Sequence, residues 1–162
     1  TAIQASLTGH LVLSTLHTND APSALTRLLE MGLQSFLVAS SLSLVMAQRL
    51  VRLSCPHCSR TVPVEFSLQD EFPGIKFFPQ NELRGSGCDK CLQTGYSGRI
   101  GIFELMEVES GLRKLIGREA SSEEMADYAA SKSGYTRMID QGLELVRAGR
   151  TTLEEILRVT KV

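Results

Sequence analysis

Apolar and polar positions change their rhythm several times along this chain. From His10 to Leu16 the run His-Leu-Val-Leu-Ser-Thr-Leu is nearly continuous, bounded by Gly9 and by the polar exit His17-Thr18-Asn19-Asp20. A short apolar run between turn signals predicts a buried strand of the parallel-sheet kind. Asn19 or Asp20 then offers an N-cap, with Pro22 in the first turn, so a helix is expected to run to about Met31 and stop at Gly32. A second helix is expected from Ser35 to Arg49. The 18 residues Met31 to Gln48 carry no formal charge, which approaches membrane-spanning length. Gln34, Ser35, Ser40, Ser41, Ser43 and Gln48 within it favour a helix buried in a core.

The stretch Ser54 to Gly98 has a different texture, with all the cysteines, four of the five prolines (Pro56, Pro63, Pro73, Pro79) and several glycines. It predicts an irregular, stapled insert outside the core. Arg99 to Val108 resumes as a strand. Leu112, Leu115 and Ile116 fit one helix face, and Ser121-x-x-Glu124 is a capping-box pattern for the next helix. Tyr135, Met138, Ile139, Gly142, Leu143 and Val146 recur at helical spacing, with Gly149 closing that helix. Thr151-x-x-Glu154 opens the last one. The sum is an α/β core with appended helices. The opening Thr1–Leu7 reads as the middle or end of a helix without a cap, so the chain is expected to be a fragment whose N-terminal part is missing. No basic-then-apolar leader is visible.

Composition changes this picture little. With 162 residues, 43% hydrophobic and 22% charged, the chain can build an ordinary core, and its 6% aromatic content without Trp makes that core aliphatic. Charge is more decisive. The 17 basic and 18 acidic residues give a net charge of −1, without the basic excess or stripe of a nucleic-acid binder.

The cysteines fall in two pairs, Cys55-Pro-His-Cys58 and Cys88-Asp-Lys-Cys91, separated by the 29 residues 59–87. Two residues between cysteines let the chain turn both thiolates towards one centre, and two such knuckles complete a tetrahedral S4 shell. Gly85 and Gly87 precede the second pair, where a knuckle needs a tight turn. Four thiolates leave no open position, so a zinc ion here is structural. Two disulfides would need an oxidising compartment, to which nothing points. A redox C-x-x-C explains one pair but not its twin, and an iron–sulfur cluster also uses four cysteines. Zinc is the favoured reading, and His57, inside the first knuckle, reads as a solvent-facing spacer in preference to a substitute ligand.

The polar cluster His17-Thr18-Asn19-Asp20 would sit at the carboxyl end of the first strand, where open α/β sheets bind ligands. By itself it reads more readily as a set of helix caps with a satisfied histidine. The longer segment Thr8-Gly9-His10-Leu11-Val12-Leu13-Ser14-Thr15-Leu16-His17-Thr18-Asn19-Asp20-Ala21 resembles the His box of the secretion ATPase superfamily, the type II secretion and type IV pilus-assembly ATPases. Ala47–Arg52 resembles the segment that follows there, Gly95–Glu104 the stretch after the cysteines, and Leu153–Val159 the C-terminus. These matches cover almost the whole chain in order. The four cysteines point to the secretion and assembly members rather than the pilus-retraction members, which lack the insert.

The resemblance implies a C-terminal fragment of a RecA-like P-loop NTPase domain with a four-cysteine zinc insert and a C-terminal helical subdomain. Its expected division is 1–53 for the ATPase core, 54–98 for the zinc insert and 99–162 for a strand and helices. The implied protein is a homo-hexameric motor using ATP and Mg2+, cytoplasmic, and held to the inner membrane through secretion or pilus platform proteins, without nucleic acid. His17 would sense the γ-phosphate, Thr18 and Asn19 would contact nucleotide, and Arg49 would join the catalytic set, with Arg99 a further candidate. Arg27 and Arg52 read as plain ion pairs, and Glu104 carries no assigned chemistry. The family's P-loop, G-x-x-x-x-G-K-[ST], is absent, for the sequence has no Gly-Lys dipeptide. The chain alone is therefore expected to be inactive. The alternatives are a non-enzymatic zinc-stabilised protein-binding module and, disfavoured by charge, a zinc-ribbon nucleic-acid binder.

Overall fold

A computed structural model describes residues 2–65, 75, 78–132 and 134–160. Part of the expected irregular insert, residues 66–74, 76 and 77, lies outside the described residues, as do 161 and 162. The described chain mixes helices and strands. Its helices are α1 (Ala2–Leu7), α2 (Ala21–Glu30), α3 (Ser35–Ser41), α4 (Ser110–Gly117), α5 (Ser122–Ala130), α6 (Met138–Arg147) and α7 (Leu153–Thr160). Its strands are β1 (Leu44–Ser54), β2 (Ser59–Pro63), β3 (Asn81–Gly85) and β4 (Tyr96–Glu107). β1 pairs with β4, and β2 with β3. The fold divides into two compact units, one of Thr1–Ala47 with Glu104–Arg137 and the other of Gln48–Phe103 with Met138–Val162.

In the first unit, α2 to α5 close over Leu25, Val38, Leu112, Ile116 and Met125, all fully buried. The expected cap of α2 is present: the Asp20 carboxylate accepts from Ser23 N–H at 2.7 Å, satisfying one of the helix's orphan donors. Glu104, 5% exposed, covers another by accepting from Ala21 N–H at 3.3 Å, and also accepts from the Tyr135 hydroxyl at 2.8 Å. The far end of α3 is satisfied by Arg113, whose guanidinium donates to the Ala39 and Leu42 carbonyls. Ser121 caps α5 by accepting from Glu124 N–H, as its spacing predicts.

Two expectations in this region do not hold. Residues 10–18 form no strand, and Leu11 and Leu13 are 90% and 87% exposed. A strand exists through its neighbour's hydrogen bonds, and no strand among the described residues lies beside this run. The helix expected to reach Arg49 ends at Ser41, because from Leu44 onward burial alternates. Val45, Ala47, Arg49 and Val51 turn inward while Leu44, Met46, Gln48 and Leu50 are exposed, the period-2 pattern of a half-buried strand.

In the second unit, α6 and α7 pack through Leu143, Val146, Leu153 and Ile156, each almost fully buried. Gly142 allows the close approach: a Cβ there would lie 2.7 Å from the Ile156 side chain. The Ser54–Gly98 stretch is more regular than expected. β2 and β3 are antiparallel, with Ser59 opposite Gly85 and Pro63 opposite Asn81, so the strands bring the two cysteine pairs to one end. Its residues also reach a core: Glu82, 2% exposed, accepts from Leu153 N–H at 2.7 Å at the start of α7. The residue capping α7 is Thr152, which accepts from Glu155 N–H at 3.2 Å. Thr151, expected in that role, instead donates to the Arg52 carbonyl. Tyr135 precedes α6 rather than belonging to it.

Candidate metal centre

The four cysteines converge. Their sulfurs all lie within 4.8 Å of one another, at 4.0 Å for Cys55–Cys88, 3.9 Å for Cys58–Cys91 and 3.8 Å for Cys88–Cys91. Four thiolates about 2.3 Å from one ion stand about 3.8 Å apart in a tetrahedron, whereas a disulfide needs about 2.05 Å. The spacing therefore fits a four-sulfur metal site, and all four cysteines are free. Cys55 and Cys91 are buried, and Cys58 and Cys88 half-buried. His57 is exposed, as a spacer would be.

Backbone geometry fixes the knuckles. Cys55 and Cys58 are joined by a turn in which Cys58 and Ser59 N–H donate to the Cys55 carbonyl. The second pair sits on a 3-10 turn, Asp89–Cys91, followed by Leu92 and Gln93 at φ 53° and 63°. That left-handed backbone folds the chain back so that Gln93 N–H reaches the Cys88 carbonyl at 2.9 Å. Gly95 ties the knuckles together. Its N–H donates to Cys91 Sγ at 3.3 Å, and its carbonyl accepts from Cys55 N–H at 2.9 Å. It stands at φ 75°, and a Cβ on it would come 2.5 Å from the Gly85 oxygen, so both conformation and space require glycine.

The electrostatics of the sulfurs are uneven. Burial pushes the Cys91 thiol up, but N–H donation from Cys88 and Gly95, with help from the Cys88 and Cys58 side chains, outweighs it and brings Cys91 down to about 6. For Cys58 burial dominates, opposed by the Gly87 backbone, and the thiol rises to about 11. Donors aimed at one sulfur favour its ionised form, which is the form that binds metal.

Sequence reasoning missed a buried polar cluster in the same unit. Glu155 is fully buried and is held by Arg52, itself stacked over the Tyr96 ring at 4.2 Å, and by Arg158. Burial opposes its charge, but the two guanidiniums prevail and lower its carboxyl to about 2. The Glu155-x-x-Arg158 spacing was the available signal. Arg52 thus proves to be an ion-pair residue as expected, and so does Arg27, paired with Glu30 at the surface.

His17 is exposed on the irregular segment before α2, and Asn19 is exposed beside it. Thr18 is half-buried, its hydroxyl donating to the Asp20 carbonyl at 3.4 Å. Arg49 is half-buried on β1, and Arg99 is exposed on β4. No helix among the described residues is long and apolar enough to cross a membrane.

Comparison with known proteins covers the same span. The profile of the family described as "Type II/IV secretion system protein" matches residues 1–158. Over 160 residues the chain is 48% identical to the type II secretion system ATPase E of Vibrio cholerae, covering 99% of this chain and 31% of that protein. It is 47% identical over 160 residues to the type IV pilus assembly ATPase TfpB of Acinetobacter baylyi, covering 98% and 27%. The type II secretion system protein E of Pectobacterium carotovorum is 50% identical over 161 residues, covering 99% and 31%. The chain thus spans about a third of the length of these relatives. An unbroken match from residue 1 to 158, at such identity, means that this chain belongs to the type II/IV secretion system protein family.

Proposed function

We propose that this chain is part of a homo-hexameric ATPase motor that powers type II protein secretion or type IV pilus or pseudopilus assembly. The observation carrying this reading is the near-complete match, at 47–48% identity, to relatives named as ATPases of both systems. In the reading, the chain holds the end of a RecA-like ATPase core (1–53), a zinc insert (54–98) and a strand with helices (99–162). Cys55, Cys58, Cys88 and Cys91 hold one zinc ion, whose four sulfurs leave no site for water, so that the ion braces structure. His17 contacts the γ-phosphate of Mg-ATP, with Thr18 and Asn19 as nucleotide contacts and Arg49 beside them. Hydrogen-bond donors placed where charge gathers are the chief tool of phosphoryl transfer. With no Gly-Lys dipeptide in these 162 residues, the phosphate cradle comes from outside them, and the chain alone does not hydrolyse ATP. The motor works on the cytoplasmic side of the inner membrane, attached through platform proteins, and binds no nucleic acid.

The test is phosphate release by the full-length protein containing this chain. His17→Ala should lower turnover by about 100-fold while leaving its metal content unchanged, and unchanged turnover removes the role. A second reading, a zinc-stabilised protein-binding module without enzymatic activity, is favoured by the formed cysteine cluster in a chain without a phosphate loop. It prevails if the full-length protein shows no Mg-ATP turnover.

A further inference from the structure

The first unit contains a cavity of about 300 Å³ that the motor reading does not use. Its walls come from the end of β4 and from α4 and α5. Met106, Leu112 and Ala129 form an apolar floor and are 2%, 1% and 5% exposed. At its mouth stand Leu44 and Leu105, which are 51% and 43% exposed. Two leucines half in water beside an apolar hollow are surface that a visiting apolar side chain would cover.

The rim is charged, and its charges are unequally satisfied. Lys132 Nζ lies 3.4 Å from Glu109 Oε1 and 4.8 Å from the centre of the Tyr128 ring, while the Tyr128 hydroxyl donates to Glu109 at 2.8 Å. These three groups answer one another. Glu107, exposed on the same rim, has no ion-pair partner among the described residues, so the rim carries net negative charge. The unit as a whole points the same way. Residues 1–47 hold two acidic residues and one basic, and 104–137 hold seven acidic and five basic, giving nine against six.

We propose that this cavity is a docking site for a basic amphipathic segment of a partner protein, with one bulky apolar side chain seated between Leu44 and Leu105 and a neighbouring Lys or Arg paired with Glu107. Apolar burial supplies the affinity, and the unanswered carboxylate selects the sign of the partner's charge. An acidic partner would meet Glu107 and Glu109 together and be repelled. The site stands independently of ATP turnover, since none of its residues belongs to the nucleotide or metal sets.

The experiment is a fluorescence-anisotropy titration of the whole chain with three labelled peptides: a Lys/Leu amphipathic helix, its Lys/Ser counterpart, and a Glu/Leu counterpart. The Lys/Leu peptide should bind saturably, and the other two at least about tenfold more weakly. Leu105→Asp and Glu107→Lys should each weaken Lys/Leu binding by about tenfold or more. Glu123→Lys, the same charge change at an exposed position on α5 outside the cavity, should alter it less than about twofold. Leu105→Ser serves in place of Leu105→Asp if the latter loses the native circular-dichroism spectrum. Equal weakening by Glu123→Lys would reveal a diffuse electrostatic attraction and overturn the site. Binding untouched by the Leu105 variants, or an equally tight Glu/Leu peptide, would overturn it as well.

Discussion

The Arg52 guanidinium grips the buried Glu155 carboxylate by two bonds to the same oxygen, Nε at 3.0 Å and Nη2 at 2.7 Å, while the Arg52 backbone N–H takes the other oxygen at 2.9 Å. Arg158 binds both oxygens from the next turn of α7, at 2.7 Å each. One carboxylate thus ties β1 to the last helix within the second unit. Removing it leaves guanidiniums facing each other without their counter-charge. Because both guanidiniums reach solvent, Glu155→Ala should destabilise the chain by about 1–3 kcal/mol, read as a lower denaturant midpoint. Arg158→Ala, on the exposed side of the pair, should cost about 1 kcal/mol or less.

The same pair sets an acid limit. The Glu155 carboxyl is lowered to about 2, against an ordinary glutamate value near ~4.3. A depressed carboxyl contributes stability that is fully present above the unfolded-state value and is lost as pH falls towards the folded one. The denaturant midpoint should therefore drop between about pH 5 and pH 2. Glu155→Gln, already lowered at neutral pH, should show a flatter profile across that window. Identical slopes for the two proteins would assign the acid transition to other carboxylates.

Gly95 offers a prediction on the metal centre. A side chain at φ 75° and 2.5 Å from the Gly85 oxygen would displace the N–H that donates to Cys91 Sγ. Gly95→Ala should weaken metal binding by about 10- to 100-fold in chelator competition, as loss of other outer partners of metal ligands does. The protein should carry about one zinc per chain by elemental mass spectrometry, and Cys55→Ser should lose it. Zinc retained by Gly95→Ala with unchanged affinity would show that the backbone donor is dispensable.

Gly142 tests packing against propensity. Alanine is favoured over glycine in a helix interior by about 1 kcal/mol, but its Cβ would press on fully buried Ile156 at 2.7 Å. Overpacking of a closed core costs about 1–3 kcal/mol, so Gly142→Ala should lower the melting temperature. A rise would mean that α6 and α7 separate at little cost.

What the sequence made legible was what depends on near neighbours. The Asp20 and Ser121 caps follow from cap chemistry confined to three residues. The cysteine cluster follows from two C-x2-C turns, each of which aims both of its thiolates at one centre. The failures share a cause of the opposite kind. β1 was hidden because its first half, Leu44–Gln48, alternates in burial through uncharged residues that also suit a helix, and pairing with β4, far along the chain, decides the matter. His10–Leu16 shows the same dependence, since its apolar run is a strand only where another strand stands beside it. Glu82 and Glu155, charged and fully buried, were hard to read because each also answers a group far along the chain, the Leu153 N–H for Glu82 and Arg52 for Glu155, beyond the near arginines Arg84 and Arg158.

The division into two units has a consequence for how the chain is made. Neither unit is a contiguous stretch: residues 1–47 find their partners in 104–137, and 48–103 find theirs in 138–162. As these residues leave the ribosome in order, α1, α2 and α3 have only one another to pack against until the whole cysteine region has been made and α4 and α5 emerge. The second unit can close only when α7, with Glu155, has emerged. A chain cut short after Arg137 and released from the ribosome should therefore protect its first unit from protease and leave the cysteine region open to alkylation.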